Sequence, residues 1–168
     1  EDCRRQRQMC IRDRVIYLNI RPNLDNFTRQ DKNIKYQNDF DKIIEFVGKK
    51  AFMPLTVGGG IENLKDVEKY FKMGADKISV NSCIVLNPEI IKQCSKIYGS
   101  QAVVASLDIK KDEFGVYSSF YNGGKKKVSE KLGDYIKKIE DLGVGELLIN
   151  NIDRDGMGFG YDIELLKL

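Results

Sequence analysis

At 168 residues the chain is one domain by length, or part of a larger one, and 42% hydrophobic with 32% charged residues describes a globular chain able to bury a core. Its 28 basic and 25 acidic residues are well mixed and leave a net charge of +3, and no apolar run approaches the ~20 residues of a membrane span. Neither a nucleic-acid partner nor a membrane surface is therefore indicated, and the absence of histidine excludes histidine-dependent nucleophilic triads and histidine-ligated metals.

The opening Glu1–Arg14 segment, EDCRRQRQMCIRDR, has neither helical nor strand period. Its tail resembles a translated sequencing-library adapter, the alternative being a disordered basic arm. Val15–Ile20 (VIYLNI) reads as a strand, Arg21–Gln37 as a long polar loop, and Asn38–Gly48 as a helix with Phe40, Ile43, Ile44 and Val47 on one face. Phe52–Val57 is a strand closed by Gly58-Gly59-Gly60, and Asn63–Met73 a helix ended by Gly74. Lys77–Val80 is a strand, and Asn87 with Pro88 starts a helix that runs through Ile97. Gln101–Ile109 (QAVVASLDI) is a further strand, followed by an inserted hairpin over Glu113–Gly124 on alternating Phe114, Val116, Ser118 and Phe120. Ser129–Leu142 is a helix, Glu146–Ile152 a strand, and Tyr161–Leu168 the start of a last helix. Strands separated by helices predict an α/β fold with a parallel sheet, and continuous runs such as VVASL and LLIN fit strands buried on both faces.

An open doubly wound sheet shares that alternation. The position of the unusual residues favours a (β/α)8 barrel: Asn19, Gly58–Gly60, Asn81-Ser82, Asp108 and Asp153–Gly156 all fall at the C-terminal ends of successive strands. In a barrel those ends form one rim, where active sites are built. Gly58-Gly59-Gly60 between strand and helix suits an anion approached by backbone N–H groups, or else a tight turn. Asn81 and Ser82 either donate to the same anion or cap their loop. Asp108 ends an apolar strand, placed either to move protons or to pair with Lys110 and Lys111. Asp153-Arg154-Asp155-Gly156 either holds substrate hydroxyls and phosphate or forms an internally paired turn. Lys125–Lys127 reads as a solvated charge run. Cys3, Cys10, Cys83 and Cys94 lack metal-ligand spacing, which fits reduced thiols in a cytoplasmic protein, with Cys83 and Cys94 as small core residues.

Taken together, PLTVGGGI (Pro54–Ile61), GADKISVNS (Gly74–Ser82), NPEII (Asn87–Ile91), GSQAVVASLD (Gly99–Asp108) and GELLINNIDRDGMGFGYD (Gly145–Asp162) resemble the cyclase subunit of imidazole glycerol phosphate synthase, in order and in register over Val15–Leu168. The resemblance implies a truncated (β/α)8 TIM barrel, here an internal fragment holding about strands two to six. It implies a lyase of histidine biosynthesis that takes ammonia from a glutaminase subunit, splits a phosphorylated ribotide and closes an imidazole ring, with neither cofactor nor metal. By the same resemblance Asp108 is one of two acid–base aspartates. Gly58, Gly59, Gly60, Asn81 and Ser82 line one phosphate site, Asp155 and Gly156 lie near the substrate, and Lys77 and Glu146 supply half of a charged ammonia gate. Asn19 and Met157 stand where the family usually has aspartate and threonine, and AFMPLTVGGGI resembles a paralogous branch found with surface-polysaccharide genes and thought to supply ammonia for amidating a sugar. That paralogue, or a non-catalytic ammonia-channelling subunit, is the alternative.

Overall fold

The computed structural model describes residues 14–19, 36–50, 52–158 and 160–167. The adapter-like opening segment up to Asp13 and the polar loop read over Arg21–Gln37 lie outside them, the loop save for its last two residues. The described chain forms two compact units, the first ending at Ser79 and the second beginning at Val80.

In the first unit three parallel strands pair in sequence order: β1 (Val15–Leu18), β2 (Leu55–Gly58) and β3 (Lys77–Val80), with Tyr17 beside Val57 and Val57 beside Ile78. Strand β2 begins after Pro54, whose ring removes a ladder donor but whose carbonyl still accepts from Val15 N–H at 3.0 Å. The predicted strand start at Phe52 is therefore three residues early, and Phe52 is exposed. Helix α1 (Tyr36–Lys50) buries Ile44 and sets Phe40 edge-on to Tyr70 of α2 (Leu64–Lys72), ring centroids 6.2 Å apart. Helix α2 starts where Asn63 predicts: Asn63 Oδ1 accepts from Asp66 N–H and Asp66 Oδ2 accepts from Asn63 N–H, at 3.1 and 3.2 Å. A reciprocal cap of this kind is worth about 1 kcal/mol.

The second unit is built on the long strand β4 (Val103–Lys111). On one side β4 pairs in parallel with β7 (Glu146–Asn151), in a register that sets Asp108 beside Asn150. On the other it pairs antiparallel with β5 (Tyr117–Tyr121), which in turn pairs with the short β6 (Lys126–Lys127). The expected hairpin is present, but its first arm is the end of β4 itself. Asp112 Oδ1 accepts from the N–H groups of Phe114 and Val116 at 3.0 and 2.8 Å, so those two residues form an exposed turn and not a strand. Two helices precede β4: a five-residue α3 (Ser82–Leu86), too short to show a period in sequence, and α4 (Pro88–Tyr98). Asn87 sits between them and makes no side-chain cap; its carbonyl accepts from Ile90 N–H. Helix α5 (Leu132–Asp141) buries Tyr135 and Ile139. The helix expected from Tyr161 is, among the described residues, a single 3-10 turn over Leu165–Lys167.

Strand β2 is buried throughout and β4 from Val103 to Ala105, as strands covered on both faces should be. Each fully buried Val, Leu or Ile contributes roughly 1.5–3 kcal/mol. Cys83 and Cys94 are buried thiols, as the sequence indicates. Burial, with Cys83 nearby, pushes the Cys94 thiol up to about 11. Cys94 is thus expected to resist alkylation by iodoacetamide at pH 8 until the chain is unfolded, which mass spectrometry of the labelled chain reads directly; labelling at the rate of an exposed thiol would contradict its placement. No described helix is long and apolar enough to cross a membrane.

Candidate functional site

Asp108 stands one residue before the parallel β4–β7 pairing ends, half-buried, with β7 on one side and β5 on the other. Its carboxylate is held on both oxygens: Asn81 Nδ2 donates to Oδ2 at 2.9 Å and Asn150 Nδ2 to Oδ1 at 3.1 Å. Phe120 lies directly across the antiparallel pair from Asp108, and the Lys110 ammonium rests 5.1 Å from its ring centroid. The pleat puts Lys110 on the same face as Asp108, and the lysine sits over the ring. Asp108 is thus a half-buried carboxylate fixed by neutral donors and flanked by an aromatic ring. Such a group is suited to transferring a proton to or from a substrate that reaches it.

Asn81 and Ser82 lie at the end of β3. The Ser82 hydroxyl oxygen accepts from Asn122 N–H at 3.0 Å, which ties the β5–β6 turn to this loop and leaves the Ser82 proton available to donate. That turn is tight: Asn122, Gly123 and Gly124 all have positive φ, and a Cβ on Gly124 would meet Ile152 at 3.0 Å. The turn therefore touches both the loop after β3 and the loop after β7, one on each side of Asp108.

Asp153-Arg154-Asp155-Gly156 divides into two roles. Asp153 Oδ2 accepts from Lys111 N–H at 2.9 Å and so closes the end of β4. Arg154 reaches Asp162, Nε to Oδ2 at 3.8 Å. Asp155 and Gly156, the pair expected near substrate, are exposed, and Gly156 takes φ 73°.

Asp162 itself was not singled out by the sequence pattern. It is only 8% exposed and gathers the Tyr117 hydroxyl at 2.8 Å, Asn151 Nδ2 at 2.7 Å and Leu165 N–H at 3.3 Å. Asn151 points to the opposite face of β7 from Asn150, so this cluster braces the strand end from behind the Asp108 face. Burial pushes the Asp162 carboxyl up, but the hydrogen bonds from Tyr117 and Leu165 and the charges of Arg154 and Lys111 outweigh it and hold it below its ordinary value. A depressed native value gives stability that is present above the unfolded value and is lost as pH falls through the native one. Asp162→Asn is accordingly expected to flatten the drop in melting temperature below about pH 4, measured by circular dichroism. An unchanged acid limb would remove Asp162 from that role.

In the first unit, two glycines of the triplet have packing reasons. A Cβ on Gly58 would lie 2.5 Å from the Ser79 carbonyl oxygen, and one on Gly59, at φ 91°, would collide with the Asn19 backbone. Gly60, at φ 69°, is exposed. Lys77 opens β3 and is half-buried; in the second unit Glu146 opens β7, also half-buried. On the same face as Lys77, Thr56 and Ser79 occupy adjoining rows of the first unit's sheet, and both hydroxyls are buried without a hydrogen-bond partner.

Asn150 and Asn151 are the residues that the sequence pattern concealed. The signal was available: asparagine is depleted in strands, and two in succession at the end of LLINN call for side-chain partners.

Parallel strands joined through helices, with polar side chains gathered at the strand ends, make this an α/β chain of the truncated (β/α)8-barrel class. The chain belongs to the histidine biosynthesis protein family, whose sequence pattern matches residues 32–168. It is similar to the HisF subunits of imidazole glycerol phosphate synthase. The subunit of Alkaliphilus metalliredigens is 41% identical over 125 residues, 74% of this chain and 50% of that protein. That of Natranaerobius thermophilus is 43% identical over 126 residues, 75% and 50%. That of Petrotoga mobilis is 36% identical over 156 residues, 92% and 58%. The chain spans about half the length of the curated relatives it matches first.

Proposed function

We propose that this chain carries part of the cyclase site of an imidazole glycerol phosphate synthase acting in the cytoplasm. In this reading ammonia from a glutaminase subunit attacks a phosphoribulosyl-formimino-aminoimidazole carboxamide ribotide, which is split into imidazole glycerol phosphate and aminoimidazole carboxamide ribotide. The observation that carries the reading is Asp108, a half-buried carboxylate on β4 fixed by two amides, in a chain of this family. Asp108 would exchange a proton with the reacting ribotide. Gly60 and Ser82 would each donate to substrate phosphate, with the main chain of Asn81 as a further donor and Asp155 and Gly156 against the ribose end. Gly58 and Gly59 would support that site by packing. Lys77 and Glu146 would guard ammonia entry, and the unpartnered hydroxyls of Thr56 and Ser79, on the face that Lys77 shares, suit a small polar molecule in passage.

A second reading is supported by Asn19, which stands at the end of β1 where the family usually has aspartate: an ammonia-supplying paralogue in amidation of a surface sugar. Turnover of the ribotide by the full-length protein with free ammonium salts, with and without a glutaminase, tests the choice. The cyclase releases both products with ammonium alone. A protein that only stimulates a glutaminase, and never consumes the ribotide, is a channelling subunit.

A further inference from the structure

The grip on Asp108 is symmetrical in chemistry and asymmetrical in origin. Asn81 comes from the loop after β3, whereas Asn150 is a strand residue set beside Asp108 by the parallel register of β4 and β7. Its reach of 3.1 Å is therefore fixed by backbone pairing. An ionised carboxylate only accepts hydrogen bonds, so in both asparagines the amide nitrogen must face it. One donor on each oxygen fixes the rotation of the carboxylate about its Cβ–Cγ bond and occupies two of its roughly four acceptor positions, leaving the others for a substrate. Neither asparagine carries charge, so the grip orients Asp108 without forming an ion pair that would compete with the substrate. The adjoining Asn151, on the other face, spends its own amide on the buried Asp162, which pins the strand end that carries Asn150.

We propose that Asn150 is a positioning residue for Asp108: with Asn81 as the opposing jaw, it holds the carboxylate in the orientation in which a proton is transferred. This rests on Asp108 acting in the reaction proposed above.

The test uses the full-length protein with the ribotide and free ammonium salts. Asn150→Leu, nearly isosteric and without a donor, is expected to lower kcat roughly 10- to 100-fold, since misorienting a reacting group by a fraction of an ångström to an ångström has effects of that order. KM should change by less than about twofold, because the residue touches the carboxylate and not the substrate. Asn150→Asp, the same size but setting a second carboxylate against Asp108 in place of a donor, should lose at least as much and guards against the leucine variant failing to fold. Placed on top of Asp108→Asn, Asn150→Leu should add less than about a twofold effect, the signature of acting through that carboxylate. Unchanged kcat in Asn150→Leu or Asn150→Asp, or a loss confined to KM, overturns the proposal. If Asp108→Asn alone keeps full turnover, the reaction assignment falls; if Asp108→Asn is inactive and Asn150→Leu is not, only the positioning role falls.

Discussion

Asp108→Asn in the full-length protein is expected to reduce ribotide turnover with ammonium by roughly 10²- to 10⁴-fold, the usual contribution of a positioned acid–base group. The side chain is isosteric, so the substrate should still bind and KM should move little. An asparagine at 108 can accept with its oxygen from only one of the two amides; its own nitrogen then faces the other donor, at 2.9 or 3.1 Å in the native arrangement. Leaving one half-buried donor unsatisfied costs about 1–2 kcal/mol, a few degrees in melting temperature and far too little to unfold the protein. Initial rates and a thermal melt on one preparation therefore separate chemistry from stability. Full turnover in Asp108→Asn would exclude a proton-transfer role for the carboxylate.

The glycine triplet supplies the second large effect, because its members are predicted to fail in different ways. Gly59→Ala forces a side chain into the left-handed region at φ 91° and drives its Cβ into the Asn19 backbone. The first penalty is about 1–2 kcal/mol and the second of similar size or larger, so the loss is about 3 kcal/mol. For a protein of this size or somewhat larger that is roughly 6–12 °C in melting temperature. Gly60→Ala meets the first penalty, at φ 69° on an exposed residue, which costs about 1–2 kcal/mol. Its main consequence is functional: a raised KM for the ribotide, from a Cβ in the path of a phosphate, with kcat retained. Calorimetry and steady-state kinetics on the two variants check the division. Equal stability losses with no change in KM would return all three glycines to packing.

That division could not be made from the sequence, in which Gly58, Gly59 and Gly60 are indistinguishable. Their reasons lie in Ser79 and Asn19, which are remote in the chain and adjacent only once β1, β2 and β3 pair. Elements whose cause is local were legible. Asn63 and Asp66 cap α2 within four residues, and the run from Val103 to Leu107 needs only its apolarity to read as a buried strand. Where a local side chain competes with the pattern, the pattern misleads: the alternation of Phe114 and Val116 yields to Asp112, which bends their backbone into a turn. Helix α3 is too short for periodicity to appear. The candidate site was legible at Asp108 because a carboxylate ending an apolar strand is conspicuous. Its partners were concealed, since Asn150 meets Asp108 only through the β4–β7 register. Asp162 was hidden for the same reason: its value lies in Tyr117 and Asn151, 45 and 11 residues away.

The most direct measurement is a crystal structure of the full-length protein soaked with the ribotide under conditions lacking ammonia, so that the substrate persists. The account predicts the ribotide seated over β4, with a reacting atom within hydrogen-bonding reach of the Asp108 carboxylate, about 2.6–3.2 Å, and a phosphate oxygen at the Ser82 hydroxyl. A ribotide bound away from Asp108, or no binding by a protein that still stimulates a glutaminase, would contradict it.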